Sequence, residues 1–150
     1  MNAHILSLVV WIPIVAGACV LATGSDRNAA LARWLALAGS LLGLIVAIPL
    51  ATGFDISTSA MQFVEKAAWI PALNAHYYLG VDGISMPLVL LNSFTTVLVV
   101  IAGWQVIQDR VAQYMAAFLI MSGLFNGAFA ALDGILFYVF FEGMLIPLYL

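Results

Sequence analysis

Leu132-Asp133-Gly134-Ile135-Leu136-Phe137-Tyr138-Val139-Phe140-Phe141-Glu142-Gly143-Met144-Leu145-Ile146-Pro147-Leu148-Tyr149-Leu150 is an apolar run with one carboxylate, Glu142, in its interior. No basic residue within it can pair with that carboxylate. A run of this length and polarity reads as a membrane helix. On a helix, Tyr138 lies four residues before Glu142 and Tyr149 seven after, so the three share one face. Pro147 has no N–H, so the carbonyl of Gly143, four residues back, loses its helical partner. A free acceptor beside a titratable group suits a water site or a kink. An acidic side chain at the centre of a spanning helix costs roughly 2.5–3.5 kcal/mol on insertion scales. Two readings follow for Glu142: a functional group, or a neutral residue that only bridges helices by a hydrogen bond.

The remaining composition agrees with a membrane protein. Hydrophobic residues make up 65% of the chain, charged residues 7%, and mean hydropathy is +1.15. A soluble domain carries about 25% charged residues. The net charge of −3 and the lack of a basic patch argue against a nucleic-acid partner. The single cysteine, Cys19, excludes an internal disulfide and any all-cysteine metal or iron–sulfur site. His4 and His76 stand apart near predicted membrane edges, so the chain offers no haem or metal constellation and is expected to bind no cofactor itself. Ala16-Gly17-Ala18-Cys19 vaguely resembles a cleavage site, but the first basic residue is Arg27, so a signal peptide lacks its positive start.

Read outward from the last run, the pattern predicts an all-α polytopic fold of five transmembrane helices, over residues 5–22, 29–51, 84–107, 114–132 and 135–150. All five are expected to belong to the N-terminal part of one membrane domain, the first piece of a longer polypeptide. Thr23-Gly24-Ser25-Asp26-Arg27-Asn28 reads as a polar turn, and Gln108-Asp109-Arg110 as a tight connection. Gly39 and Gly43, and Gly123, Gly127 and Ala131, form small-residue faces for close packing. Ser85, Asn92 and Thr96 make a polar stripe on the third helix, and Ser122 and Asn126 lie on the fourth; helix-to-helix hydrogen bonding is the default reading of both. Between helices 2 and 3, Met61–Lys66 and Ala75–Leu79 have strand-like content around a turn at Pro71-Ala72-Leu73-Asn74. This predicts a short hairpin at the membrane surface, with Trp69, Tyr77 and Tyr78 at headgroup level. Too small to stand alone, it is expected to dock on a neighbouring subunit or on later helices of this chain. Asp82, ahead of Gly83-Ile84-Ser85, is expected to cap the third helix.

Arg27 and Arg33 flank the first connection, Arg110 lies in the third, and only Lys66 lies in the second. The positive-inside rule then puts the arginines in the cytoplasm and the N-terminus and hairpin in the periplasm. Glu142 lies eight residues into the fifth helix, about 12 Å at 1.5 Å per residue, near the midplane of a roughly 30 Å core.

Leu79-Gly80-Val81-Asp82-Gly83-Ile84-Ser85-Met86-Pro87-Leu88-Val89 opens the third helix, Phe63-Val64-Glu65-Lys66 and Trp69-Ile70-Pro71 precede it, and Ala131-Leu132-Asp133 and Phe140 to Leu150 follow. In combination these strings resemble the N-terminal third of the antiporter-like membrane subunits of respiratory complex I. The resemblance covers most of the chain from Phe63 onward; the first two helices are generic. Gly143 stands where the family more often carries alanine, a small-for-small change. The resemblance implies about fourteen helices with two inverted five-helix repeats, in a bacterial inner-membrane protein that couples quinone reduction in a distant arm to proton translocation. It implies that Glu142 is the family's proton-transfer glutamate, paired with a lysine on a later helix outside this chain, with Tyr138, Gly143, Pro147 and Tyr149 in support. It implies partners among the other membrane-arm subunits and the lipid bilayer, and NADH, flavin, iron–sulfur clusters and quinone for the whole complex. The competing readings are a subunit of a multi-subunit sodium/proton antiporter and a structural spacer in which Glu142 only packs.

Overall fold

The computed structural model describes residues 4–23, 27 and 29–149. Among the described residues, four helices are long and apolar enough to cross a membrane: α1 (Ile5–Ala22), α2 (Ala29–Thr52), α3 (Ser85–Val106) and α4 (Val111–Ala130). Their 18 to 24 residues reach about 27–36 Å, which matches a roughly 30 Å hydrocarbon core. A fifth apolar helix, α5 (Gly134–Tyr149), has 16 residues within the described chain, about 24 Å. Its length alone therefore does not establish a fifth crossing. α4 starts at Val111, three residues before the predicted start at 114, because Arg110 turns the chain with φ 53° directly into the helix. The first connection, Thr23 to Asn28, lies partly outside the described residues, as does Leu150.

α4 is the centre of the bundle and packs against α1, α2, α3 and α5; α2 also packs on α1 and α3. Small residues allow these approaches. Gly39 of α2 lies directly against Ala16 of α1. A Cβ at Gly127 would sit 2.7 Å from the ring of Phe140, so α5 meets α4 only because this residue has no side chain. The outward faces carry Trp11, Leu31, Ile45, Leu91 and Phe94, as a lipid-facing surface requires.

The interior divides into two apolar cores with a polar layer between them. One core gathers Leu6, Val9, Val10, Leu50, Leu79, Val81, Val89 and Phe140. The other gathers Val20, Ala32, Ala36, Val100, Val111, Met115 and Leu119 at the opposite end. Each of the first four helices changes character between them: Pro13 on α1, Ser40 and Gly43 on α2, Ser93 and Thr96 on α3, and Ser122 on α4 line one narrow cleft.

The predicted hairpin is present as β1 (Gln62–Ile70) and β2 (Ala75–Val81), antiparallel, with Lys66 opposite Tyr78 and Ala67 opposite Tyr77. A 3-10 turn at Pro71–Leu73 joins them, closed by Asn74 at φ 51°, a conformation asparagine tolerates. The hairpin rests on this chain itself, against α1 and, as one of the two expected platforms, against the later helices α4 and α5. Leu79 pairs with Ala131, and the Leu132 N–H donates to the Tyr78 carbonyl at 2.8 Å, so the α4–α5 connection extends the sheet. Leu79 and Val81 are fully buried beneath it.

Candidate functional site

Leu136, Phe140 and Met144, spaced by four, form the buried stripe that seats α5 on α4. Glu142 is about 200° round the helix from Phe140, so it faces away from the bundle. There it lines an open hollow with Gly143, Leu145, Ile146, Leu148 and Tyr149. Its carboxylate makes no hydrogen bond or ion pair among the described residues. Tyr138 and Tyr149 are 61% and 91% exposed on the same outward side, and neither bonds to Glu142. The shared face read from spacing is thus present, but nothing among the described residues encloses it. Gly143 is half-buried against Leu124, whose methyl groups would lie 3.5 Å from an added Cβ. That is ordinary contact, so an alanine would fit there. Pro147 sits inside the helix.

The polar stripes meet in the middle layer. The Asn92 Nδ2 amide donates to the Asn126 Oδ1 at 2.9 Å and to the Ser122 carbonyl at 2.9 Å. The Thr96 and Ser122 hydroxyls lie 2.7 Å apart. Asn126 Nδ2 then donates to the Val9 carbonyl at 3.3 Å. Val9 lies four residues before Pro13, so its carbonyl has no helical N–H to accept from. Asn126 supplies the donor that the proline removed. Ser85, read as part of the same stripe, instead joins the helix start, where its N–H and hydroxyl bond Asp82.

Three carboxylates close the helix starts at the hairpin end. Asp82 accepts from the Ile84 and Ser85 N–H groups, both at 2.9 Å, in the capping position expected of it. Asp133 does the same for α5, accepting from Ile135 at 2.9 Å and Leu136 at 3.2 Å, while its other oxygen accepts from the His76 N–H at 3.0 Å and so ties β2 to α5. Bonds from the backbone N–H groups, of Ser85 first for Asp82 and of His76 first for Asp133, hold both carboxyls below the usual carboxylate range. The third is Glu65, only 8% exposed on β1. α1 has no cap of its own, and Glu65 reaches across to accept from the Ser7 N–H at 2.8 Å and the Ser7 hydroxyl at 2.7 Å. Because the Ser7 hydroxyl donates to Glu65, the Tyr77 hydroxyl at 2.9 Å donates to it, and Trp11 Nε1 donates to Tyr77 at 3.0 Å. His4 Nδ1 completes the carboxylate's shell at 3.2 Å. Tyr77 is half-buried and turns its hydroxyl toward α1.

Sequence reasoning missed Glu65 and Asp133. Asp133-Gly134-Ile135 repeats the Asp82-Gly83-Ile84 pattern at the start of the next helix, and that repeat was the available signal. Glu65 gave none, because its partner is nearly sixty residues away. Among the described residues no three histidine, cysteine or acidic side chains converge as metal ligands would.

The bundle, its hairpin and the carboxylate on α5 define a multi-pass helical membrane protein. Residues 37–129 match the family described as NADH-ubiquinone oxidoreductase chain 4, amino terminus, and the chain belongs to that family. It is 44% identical to NADH-quinone oxidoreductase subunit M of Rhodobacter capsulatus, over 98% of this chain and 29% of that protein. It is 34% identical to F(420)H(2) dehydrogenase subunit M of Methanosarcina mazei, over 97% and 29%. A chain of respiratory complex I from Thermus thermophilus superimposes on it with a TM-score of 0.74 at 28% identity, over 98% of this chain and 27% of that one. The chain thus spans less than a third of the length of these relatives.

Proposed function

We propose that this segment is the N-terminal part of a membrane-arm subunit of NADH-quinone oxidoreductase, which couples quinone reduction to proton translocation, with Glu142 as a proton-handling group in the membrane. Family membership supplies the assembly. The observation that carries the residue assignment is Glu142 itself, a carboxylate without a partner among the described residues, on the open side of α5. Facing lipid, it would carry the insertion cost with no return; facing later helices of the same polypeptide, it meets a lysine. In this reading α5 crosses the membrane as a fifth helix, the N-terminus and hairpin are periplasmic, and the arginines are cytoplasmic. Tyr138 and Tyr149 flank the proton route, Gly143 keeps room beside it, and Pro147 leaves the Gly143 carbonyl free for a water. Flavin, iron–sulfur clusters and quinone belong to other subunits, and the membrane-arm neighbours and lipid are the partners. The likeness to an F(420)H(2) dehydrogenase subunit suits a segment that does not select the electron donor. The alternatives are a sodium/proton antiporter subunit and a spacer.

The test is Glu142→Gln in the assembled complex, with complex content and protons pumped per electron pair measured together. Moving one charge against 100 mV costs about 2.3 kcal/mol, and a glutamine can hold the same shape but cannot carry that proton. Loss of most pumping at normal content, with partial retention in Glu142→Asp, is the expected result. Normal pumping at normal content would overturn the assignment and leave the spacer reading.

A further inference from the structure

Three of the chain's four basic residues, Arg27, Arg33 and Arg110, lie at the end of the bundle away from the hairpin. Among the described residues, none of the three pairs with a carboxylate, Asp109 included. Arg33 lies in the second turn of α2, half-buried. Its only hydrogen bond among the described residues runs from Nη2 to the Ile107 carbonyl at 3.0 Å, and its buried Nε–H meets no acceptor. The guanidinium thus carries a full charge and unused donors at the boundary of an apolar helix.

The neighbouring surface has a second character. Trp34, next to Arg33, meets Trp104 of α3 edge to face, ring centres 5.0 Å apart and planes at 80°. Trp34 is 63% exposed. Toward mid-membrane the seam continues as exposed Leu41 on α2 and Ile101 on α3. Leu41 follows Trp34 by seven residues and Ile101 precedes Trp104 by three, so each lies on its tryptophan's face. A cation, then amphipathic indoles, then an aliphatic ridge is the order in which a phospholipid presents phosphate, glycerol and acyl chain.

We propose that this seam between α2 and α3 binds an anionic diacyl phospholipid, its phosphate on Arg33 and its chains along the ridge below Trp34 and Trp104. Charge complementarity selects this occupant. The three arginines carry no ion-pair partner among the described residues. A zwitterionic headgroup brings its own cation and gains less from them. Arg27 and Arg110 are exposed and add to the field without needing contact. Guanidinium suits the site because it offers a planar set of donors to phosphate oxygens.

The full-length protein carrying this segment, purified in detergent, should be titrated with phosphatidylglycerol and with phosphatidylcholine of the same chains, and bound lipids counted by native mass spectrometry. The tightest phosphatidylglycerol should bind at least about fivefold better than phosphatidylcholine, the gain expected from one arginine near a headgroup. Arg33→Gln should bring the ratio to near one, Arg33→Lys should keep most of it, and Trp34→Leu should weaken both lipids alike. Should Arg33→Gln fail to fold, raising the salt on the wild-type protein decides, because the preference must then fall toward one. Equal binding of both lipids, a preference that survives Arg33→Gln or high salt, or binding of neither because protein covers the seam would each overturn the proposal.

Discussion

The two ends of the bundle solve the same problem in opposite ways. At the hairpin end, α1, α3 and α5 all begin, so three positive helix termini face the same layer. That end holds four carboxylates, Asp55, Glu65, Asp82 and Asp133, against one lysine, Lys66, which lies over the ring of Tyr78. Three of the four are spent on helix N–H groups. At the other end α2 and α4 begin without an acidic residue in their first turns, and the α3 terminus receives Arg33. One end is closed by carboxylates that the chain itself satisfies. The other holds cations that meet no carboxylate among the described residues, with Arg33 on the Ile107 carbonyl. The difference teaches that the chain answers its carboxylates from within at the hairpin but leaves the charge of its arginines unmatched among the described residues.

Removing Glu65 should have the largest effect on this asymmetry. Glu65→Ala deletes the cap of α1 and leaves the Ser7 hydroxyl and N–H without their acceptor. A lost cap of about 1 kcal/mol and a buried unpaired donor of about 1–3 kcal/mol together predict roughly 3 kcal/mol. Hydrogen exchange should speed up at the α1 start and in β1 while the arginine end stays protected. Glu65→Gln should recover part of the loss, since an amide oxygen still accepts. Unchanged exchange at Ser7 would remove the tie between hairpin and first helix.

Acid should separate the ends next. Asp82 and Asp133 have folded-state carboxyls held below their ordinary value of 3.8. A lowered value means that their stabilisation is complete above the ordinary value and is lost as pH falls through the lowered one. Below about pH 4 the starts of α3 and α5 and the β2 tie at His76 should loosen first, and the arginine end, which has no such group in a cap among the described residues, should not. Exchange at Ile84, Ser85, Ile135 and Leu136 measured from pH 6 to pH 3 checks this. Asp82→Asn with Asp133→Asn should flatten the pH dependence.

The layer between the ends predicts a smaller, conditional effect. Asn126→Leu should destabilise by about 1 kcal/mol, the scale of polar contacts between membrane helices. In a Pro13→Ala background the Val9 carbonyl regains its own helical N–H, so the cost of Asn126→Leu should shrink. A cost equal in both backgrounds would show that Asn126 serves Asn92 alone.

These contrasts also mark what could be read from residues in order. Helices declared themselves through apolar length, and α1 began and ended at Ile5 and Ala22 as predicted. The hairpin turn was legible because Pro71 and Asn74 carry their backbone preferences with them. The Asp82 cap was legible because cap and helix are neighbours in sequence. What stayed hidden depended on distant partners. Glu65 looks like a solvent-facing strand residue until α1 is brought beside it, and Tyr77 looks like a surface aromatic until Ser7 and Trp11 take its hydroxyl. Glu142 was legible as an oddity, a carboxylate in an apolar run, but its outward direction needed the buried stripe of Leu136, Phe140 and Met144 to be known.

The smallest expected effect on folding is at Arg33, and its smallness is what sharpens the comparison. Arg33→Gln removes one charge-assisted bond to the Ile107 carbonyl, at a half-buried site where water or lipid headgroups can take over. A cost of about 0.5–1 kcal/mol is expected, well under that of Glu65→Ala. If the arginines were internal ties like the carboxylates, the two substitutions would cost alike, and thermal unfolding of the two variants would coincide. If they face an external anion, Arg33→Gln should unfold close to wild type in neutral detergent. In anionic lipid the wild type alone should gain stability, because a ligand that binds the folded state raises its melting point and the variant has lost the ligand's anchor.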